Sequence, residues 1–149
     1  MHAKNFQSDQ ARLLRIGQYQ NVLELKRFVH EFFPQDRPPS YREVKGVTGF
    51  CVLMRRAWFN ALGGFDERFE NGGEDFDLNV RTLLSGKKII VAKNVFVHHD
   101  WGRTFWGAGV DRYAHFLKNW ELLEKKWAKV PRAKKILQGY LSEDGSDET

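Results

Sequence analysis

Cysteine is almost missing from this chain of 149 residues, which carries one, Cys51. A single thiol excludes an internal disulfide framework and any zinc site assembled from several cysteines. Cys51 itself lies in an apolar run with no basic neighbour, which is the setting of an inert thiol. Long hydrophobic runs are missing too. No stretch reaches the roughly 18 apolar residues of an ordinary transmembrane helix. The opening Met1-His2-Ala3-Lys4-Asn5 shows no apolar core of a secretory signal, so a cytoplasmic location is expected, with peripheral contact at a membrane also compatible. What is present suffices for one folded domain: 42% of residues are hydrophobic and 29% are charged, which excludes a disordered tail.

Charge is unevenly spread. The net charge is +5, and residues 118–135 alone sum to +5, from Lys118, Lys125, Lys126, Lys129, Arg132, Lys134 and Lys135 against Glu121 and Glu124. The end of the chain carries Glu143, Asp144, Asp147 and Glu148. The basic stretch suits nucleic acid, anionic lipid or a phosphorylated substrate, and equally a solvated helix face.

The apolar spacing predicts a helix over 21–33, with Val22, Leu25 and Val29 on one face and Asn21 as N-cap. Pro34, Pro38 and Pro39 then impose a loop to about Ser40. Residues 46–54, Gly-Val-Thr-Gly-Phe-Cys-Val-Leu-Met, read as a buried strand. Arg55–Leu62 reads as a short helix stopped by Gly63-Gly64. Phe65–Gly73 reads as a loop. Glu74–Ser85 reads as a helix with Phe76, Val80, Leu83 and Leu84 on one face. Strand pieces are expected at 88–92 and 95–97, a loop at 100–109, a helix at 110–127 and a last helix from Pro131 to about Leu141. In the 110–127 helix, Val110, Tyr113, Leu117, Trp120, Leu123 and Trp127 form the apolar stripe. Residues 142–149 are expected to be a disordered acidic tail.

Three constellations bear chemistry. Gly72-Gly73-Glu74-Asp75-Phe76-Asp77 puts three carboxylates at a loop-to-helix junction. The helix dipole stabilises acidic groups there, which accounts for them structurally. A carboxylate on such a loop also suits a general base that takes a proton from a substrate hydroxyl. His98-His99-Asp100 follows a strand, where imidazole serves as a metal ligand or simply packs locally. Trp101 and Trp106, in a Gly-bearing loop beside those histidines, offer faces that stack on a sugar or a base. Trp120 and Trp127 read as core.

The order of four blocks resembles family-2 glycosyltransferases of the GT-A fold. They are Val47-Thr48-Gly49-Phe50 through Arg55-Arg56, then Gly63-Gly64-Phe65-Asp66-Glu67-Arg68-Phe69, then Gly73-Glu74-Asp75-Phe76-Asp77-Leu78 with Arg81 and Gly86, then Val95-Phe96-Val97-His98-His99. The likeness runs from about 46 to 105. It implies an α/β fold: the acceptor-side, C-terminal half of a Rossmann-like GT-A domain over residues 1–141, with few strands packed by helices. It implies inverting transfer of a sugar from a nucleotide-sugar donor, such as a UDP-sugar, to an acceptor hydroxyl. The acceptor would be a carbohydrate, a lipid-linked sugar or a protein, and many members are bacterial. Asp75 then stands as catalytic base and Glu74 as its acceptor-orienting neighbour. Gly73, Asp77, Arg81, Trp101 and Trp106 stand as substrate-binding residues, with Arg81 supporting the carboxylate loop through an ion pair. His98 stands as ligand to a divalent metal, Mn or Mg. The donor-binding half of such an enzyme is not evident, so the isolated chain is expected to need a separate donor half for activity. Two rivals differ in class: a non-catalytic sugar- or nucleotide-binding module, and a nucleic-acid-binding domain using residues 118–135. No nucleic-acid motif supports the latter, so no nucleic-acid partner is expected.

Overall fold

The computed structural model describes residues 21–32, 38–97 and 111–141. Helix α1 spans Val22–Phe32. Asn21 caps it: its side-chain oxygen accepts the N–H groups of Leu23 and Glu24 at 3.0 and 3.1 Å. Strand β1, Tyr41–Val44, pairs antiparallel with β2, Ile89–Ala92, and Val44 faces Ile89 across the ladder. Those two side chains are the buried ones of the ribbon, as a period of two dictates when one face meets the core. Between the strands lie α2, Arg56–Ala61, and α3, Glu74–Leu84. Helices α4, Arg112–Trp127, and α5, Pro131–Leu141, follow. The whole is mixed α/β, with a small sheet packed by helices, as expected of part of a glycosyltransferase domain.

The core is where α3, α4 and α5 meet. Val80, Leu123 and Ala133 are fully buried, with Phe69 and Leu137 nearly so. Each fully buried Val or Leu is worth about 1.5–3 kcal/mol of hydrophobic transfer. Phe76, Trp120, Trp127 and Tyr140 close around this centre. The Phe76 ring lies 6.0 Å from Trp120 and 5.4 Å from Tyr140. Helix α2 ends as expected at Gly63 and Gly64, whose φ values of 87° and 72° are ones that L side chains rarely adopt.

Two strand expectations fail. Residues 46–54 form no strand: Leu53 is 98% exposed and Cys51 is exposed as well. This segment crosses α3 and satisfies part of its backbone from side chains there. Asn79 donates to the Val47 carbonyl at 2.8 Å, and the Gly49 N–H reaches Asp75 at 2.9 Å. Ladder formation begins instead just upstream, at Tyr41–Val44. Residues 95–97 are also outside any ladder, although Phe96 packs edge-on against Phe28 at 5.6 Å. The stripe expected on α4 is inward only from Trp120 onward; Tyr113 and Leu117 are 59% and 50% exposed.

Candidate active site at the start of helix α3

Gly73 opens α3 with φ at 95°. A Cβ there would lie 3.1 Å from both Asn119 and Phe69, so close approach and left-handed backbone both require glycine. Asn119 on α4 is buried and clamps this turn. Its Nδ2 donates to the carbonyls of Glu70 at 2.7 Å and Gly72 at 2.5 Å. The turn therefore has a fixed course, and it delivers Glu74, Asp75 and Asp77 to the first turn of the helix.

Each of the three carboxylates meets a different environment. Asp75 is half-buried and accepts two backbone N–H groups: Gly49 on Oδ2 at 2.9 Å and Phe76 on Oδ1 at 2.8 Å. One oxygen is thus held by the crossing segment and the other by its own helix. Each oxygen retains a lone pair for a further donor. Glu74 is also half-buried, and its Oε2 is enclosed without a hydrogen-bond partner among the described residues. Burial pushes its carboxyl above the ordinary range, its own backbone N–H opposes this, and the Asp75 charge adds to the rise. Tyr140, on α5, donates to the Lys45 carbonyl at 3.0 Å. Burial, and then the nearby Asp75 charge, raise its phenol well above the usual value.

Asp77 is expected to touch substrate, and the structure corrects this. Its side chain has no solvent exposure. Arg81 reaches it at 2.8 Å, Lys126 at 2.7 Å and the Trp127 indole N–H at 3.0 Å. Lys126 continues at 2.7 Å to Asp66, which Arg68 holds at 2.6 Å. The ion pair expected of Arg81 is thus present, directed at Asp77. Arg81 also donates to the Leu62 carbonyl at 2.6 Å, tying the end of α2 to α3. Gly73, Asp77 and Arg81 therefore shape the carboxylate turn from within. The chain of charges through Lys126 and Asp66 escaped the sequence reading, because the partners lie about fifty to sixty residues apart and share no local pattern.

Trp101, Trp106 and His98 lie outside the described residues. Among the described residues, no group of three or more His, Cys, Asp or Glu converges as metal ligands do. No described helix is long and apolar enough to cross a membrane.

Comparison with known proteins gives this site a context. A 55-residue stretch is 42% identical to an O-antigen biosynthesis protein of Myxococcus xanthus, covering 36% of this chain and 4% of that protein. A 62-residue stretch is 40% identical to an N-acetylglucosaminyl-diphospho-decaprenol L-rhamnosyltransferase of Mycobacterium tuberculosis, covering 41% of this chain and 20% of the relative. The chain thus corresponds to a small part of either protein. No solved structure matches. Residues 27–110, more than half of the chain, match the family described as the N-terminal domain of galactosyltransferase, and the match contains the crossing segment, the carboxylate turn and all of α3; the chain belongs to this glycosyltransferase family.

Proposed function

We propose that the chain supplies the acceptor side of an inverting, nucleotide-sugar-dependent glycosyltransferase of the family-2, GT-A type, with Asp75 as general base. The observation that carries this reading is the seating of Asp75. Its carboxylate is fixed at a glycine-bounded helix start by two backbone N–H groups from separate segments. An acceptor hydroxyl bound against Asp75 loses its proton to the carboxylate as its oxygen attacks the anomeric carbon. The bond from that carbon to the nucleotide diphosphate breaks, and the diphosphate leaves with the electron pair. Attack opposite the departing group inverts the anomeric centre. Glu74, half-buried beside Asp75, orients the same acceptor from the first turn of α3.

The donor, with UDP-sugars the first to try, binds chiefly to a donor half supplied by further sequence or a separate chain. Trp101 and Trp106 stack against it, and His98 is the candidate ligand for a divalent cation at its diphosphate. The described residues form no converging ligand set, and the step above is routed through no cation. The rhamnosyltransferase relative carries a lipid-linked diphosphate sugar in its name, which makes a lipid-linked sugar the first acceptor class to test, at the cytoplasmic side of a membrane.

The test is transfer from a panel of labelled nucleotide sugars to N-acetylglucosamine-diphosphate-lipid analogues with a donor-binding half joined to the chain or added to it, and acceptor binding by the chain itself followed in parallel by saturation-transfer NMR. Asp75→Asn is expected to lower transfer by about 10²–10⁴-fold, the usual worth of general base catalysis, while acceptor binding and melting temperature persist. Equal turnover by that variant removes Asp75 from the role. Wild-type chain that binds no acceptor, and gives no transfer with the donor half supplied, defeats the whole reading.

A further inference from the structure

The basic residues from Lys118 to Lys135 divide into two sets. Lys118 pairs with Glu70 at 3.0 Å and Lys125 with Glu121 at 2.7 Å, while Lys126 is enclosed between Asp66 and Asp77. Lys129, Arg132, Lys134 and Lys135 behave differently. All four are exposed at the α4–α5 turn and the first turns of α5, and no carboxylate among the described residues pairs with them. Arg132 makes only a long contact to the Leu83 carbonyl, at 3.4 Å. Like charges so close on one helix repel, with Arg132 and Lys135 three residues apart on the same face. A partner of opposite sign relieves that repulsion.

The place of this cluster in the fold matters. Arg132 touches Leu83 near the end of α3, whereas the Tyr140 ring packs on Phe76 near its start. Helices α3 and α5 therefore run antiparallel, and the basic turn lies about 12 Å along α3 from Asp75. The inward side of α5 is occupied by Ala133, Leu137 and Tyr140 in the core, which leaves the basic groups on its outward flank. Among the described residues, no exposed aromatic ring is interleaved with them. A nucleic-acid surface commonly offers such rings for stacking on bases, whereas a plane of lipid phosphates asks only for positive charge.

We propose that the α4–α5 turn docks the protein on an anionic bilayer through Lys129, Arg132, Lys134 and Lys135. This rests on the proposed acceptor chemistry only for its purpose, which is to hold Asp75 near a lipid-linked sugar. The docking itself is tested without any transfer. Sedimentation with phosphatidylcholine vesicles, alone or with about 30% phosphatidylglycerol, measures partitioning at about 0.1 and 0.5 M salt. The wild-type chain is expected to bind the anionic vesicles, not the neutral ones, and to release at the higher salt. Each basic group at such a surface is worth roughly fivefold in partitioning. The triple variant Lys129→Gln, Lys134→Gln, Lys135→Gln should therefore lose about a hundredfold, with unchanged melting temperature, since Arg132 keeps its contact to Leu83. A control variant, Lys26→Gln, Arg27→Gln, Lys93→Gln, should bind like wild type. Equal binding of neutral vesicles, full binding by the triple variant, equal loss by the control, or tighter binding to a short single-stranded RNA than to the vesicles would each overturn the proposal. Transfer to a water-soluble acceptor reports on Asp75 alone, so the two ideas fail separately.

Discussion

Asp77 shows how much a single buried carboxylate can organise. It is shut off from water yet carries three donors, from Arg81, Lys126 and Trp127. Removing one partner from such a group costs far more than the pair contributes, because the remaining charge stays buried. Lys126→Met should lower unfolding stability by about 3 kcal/mol in urea titration, whereas Lys118→Met, which breaks an exposed pair, should cost under about 1 kcal/mol. Two other carboxylates set the pH response in opposite directions. The Arg68 hydrogen bond, against some burial and with help from Lys126, holds Asp66 well below its ordinary value of 3.8. Its contribution to stability is complete above that value and is lost as pH falls below it. Glu74 is shifted upward from its ordinary value of 4.5. The folded form then binds its proton more tightly than the unfolded chain, so stability declines as pH rises from that value through the folded one. Glu74→Gln should flatten the decline above pH 4.5, and Asp66→Asn should flatten the loss at lower pH; denaturant titrations across the range read both.

At the scale of elements, the turn before α3 is the sharpest prediction. Gly73 combines a left-handed φ with two neighbours 3.1 Å from any added Cβ. Gly73→Ala should cost about 3 kcal/mol, from backbone strain of 1–2 kcal/mol and overpacking of similar size, and should weaken acceptor binding by moving Glu74 and Asp75. The helices were largely legible in the sequence because their signals are local. Asn21 as a cap, Gly63-Gly64 as a stop and Pro131 in a first turn each act within a few residues. The segment 46–54 was misread because an apolar run records hydrophobicity, while a strand also needs a neighbour offering a ladder. Here the neighbour is the helix α3, whose Asn79 and Asp75 side chains take the backbone bonds. The two readings part at Leu53. A buried strand residue would cost about 2–5 kcal/mol on truncation, but this one is 98% exposed. Leu53→Ala should leave the melting temperature nearly unchanged, whereas Leu123→Ala should lower it sharply.

Across the whole molecule, the candidate base and the core draw on different stretches of sequence. The family match ends at residue 110, yet Leu123, Ala133 and Leu137, which pack against Val80, come after it. Asp75 could therefore be picked out as a candidate from its motif, while its supports could not. Gly49 reaches Asp75 itself, Asn119 clamps the Gly72 carbonyl and Tyr140 holds the Lys45 carbonyl, each through tertiary packing. A chain cut after Val130 should retain the motif and lose the cooperative melting transition, as calorimetry would show. The bond from Tyr140 to the Lys45 carbonyl spans 95 residues of sequence. A closure that long is made late, after local helices have formed, because ordering so large a loop is repaid only when its ends meet. During synthesis, then, the carboxylate turn is translated well before the helix that braces it. Until α5 docks, the Lys45 carbonyl lacks its Tyr140 partner, and the segment that carries Gly49 to Asp75 is held at one point fewer.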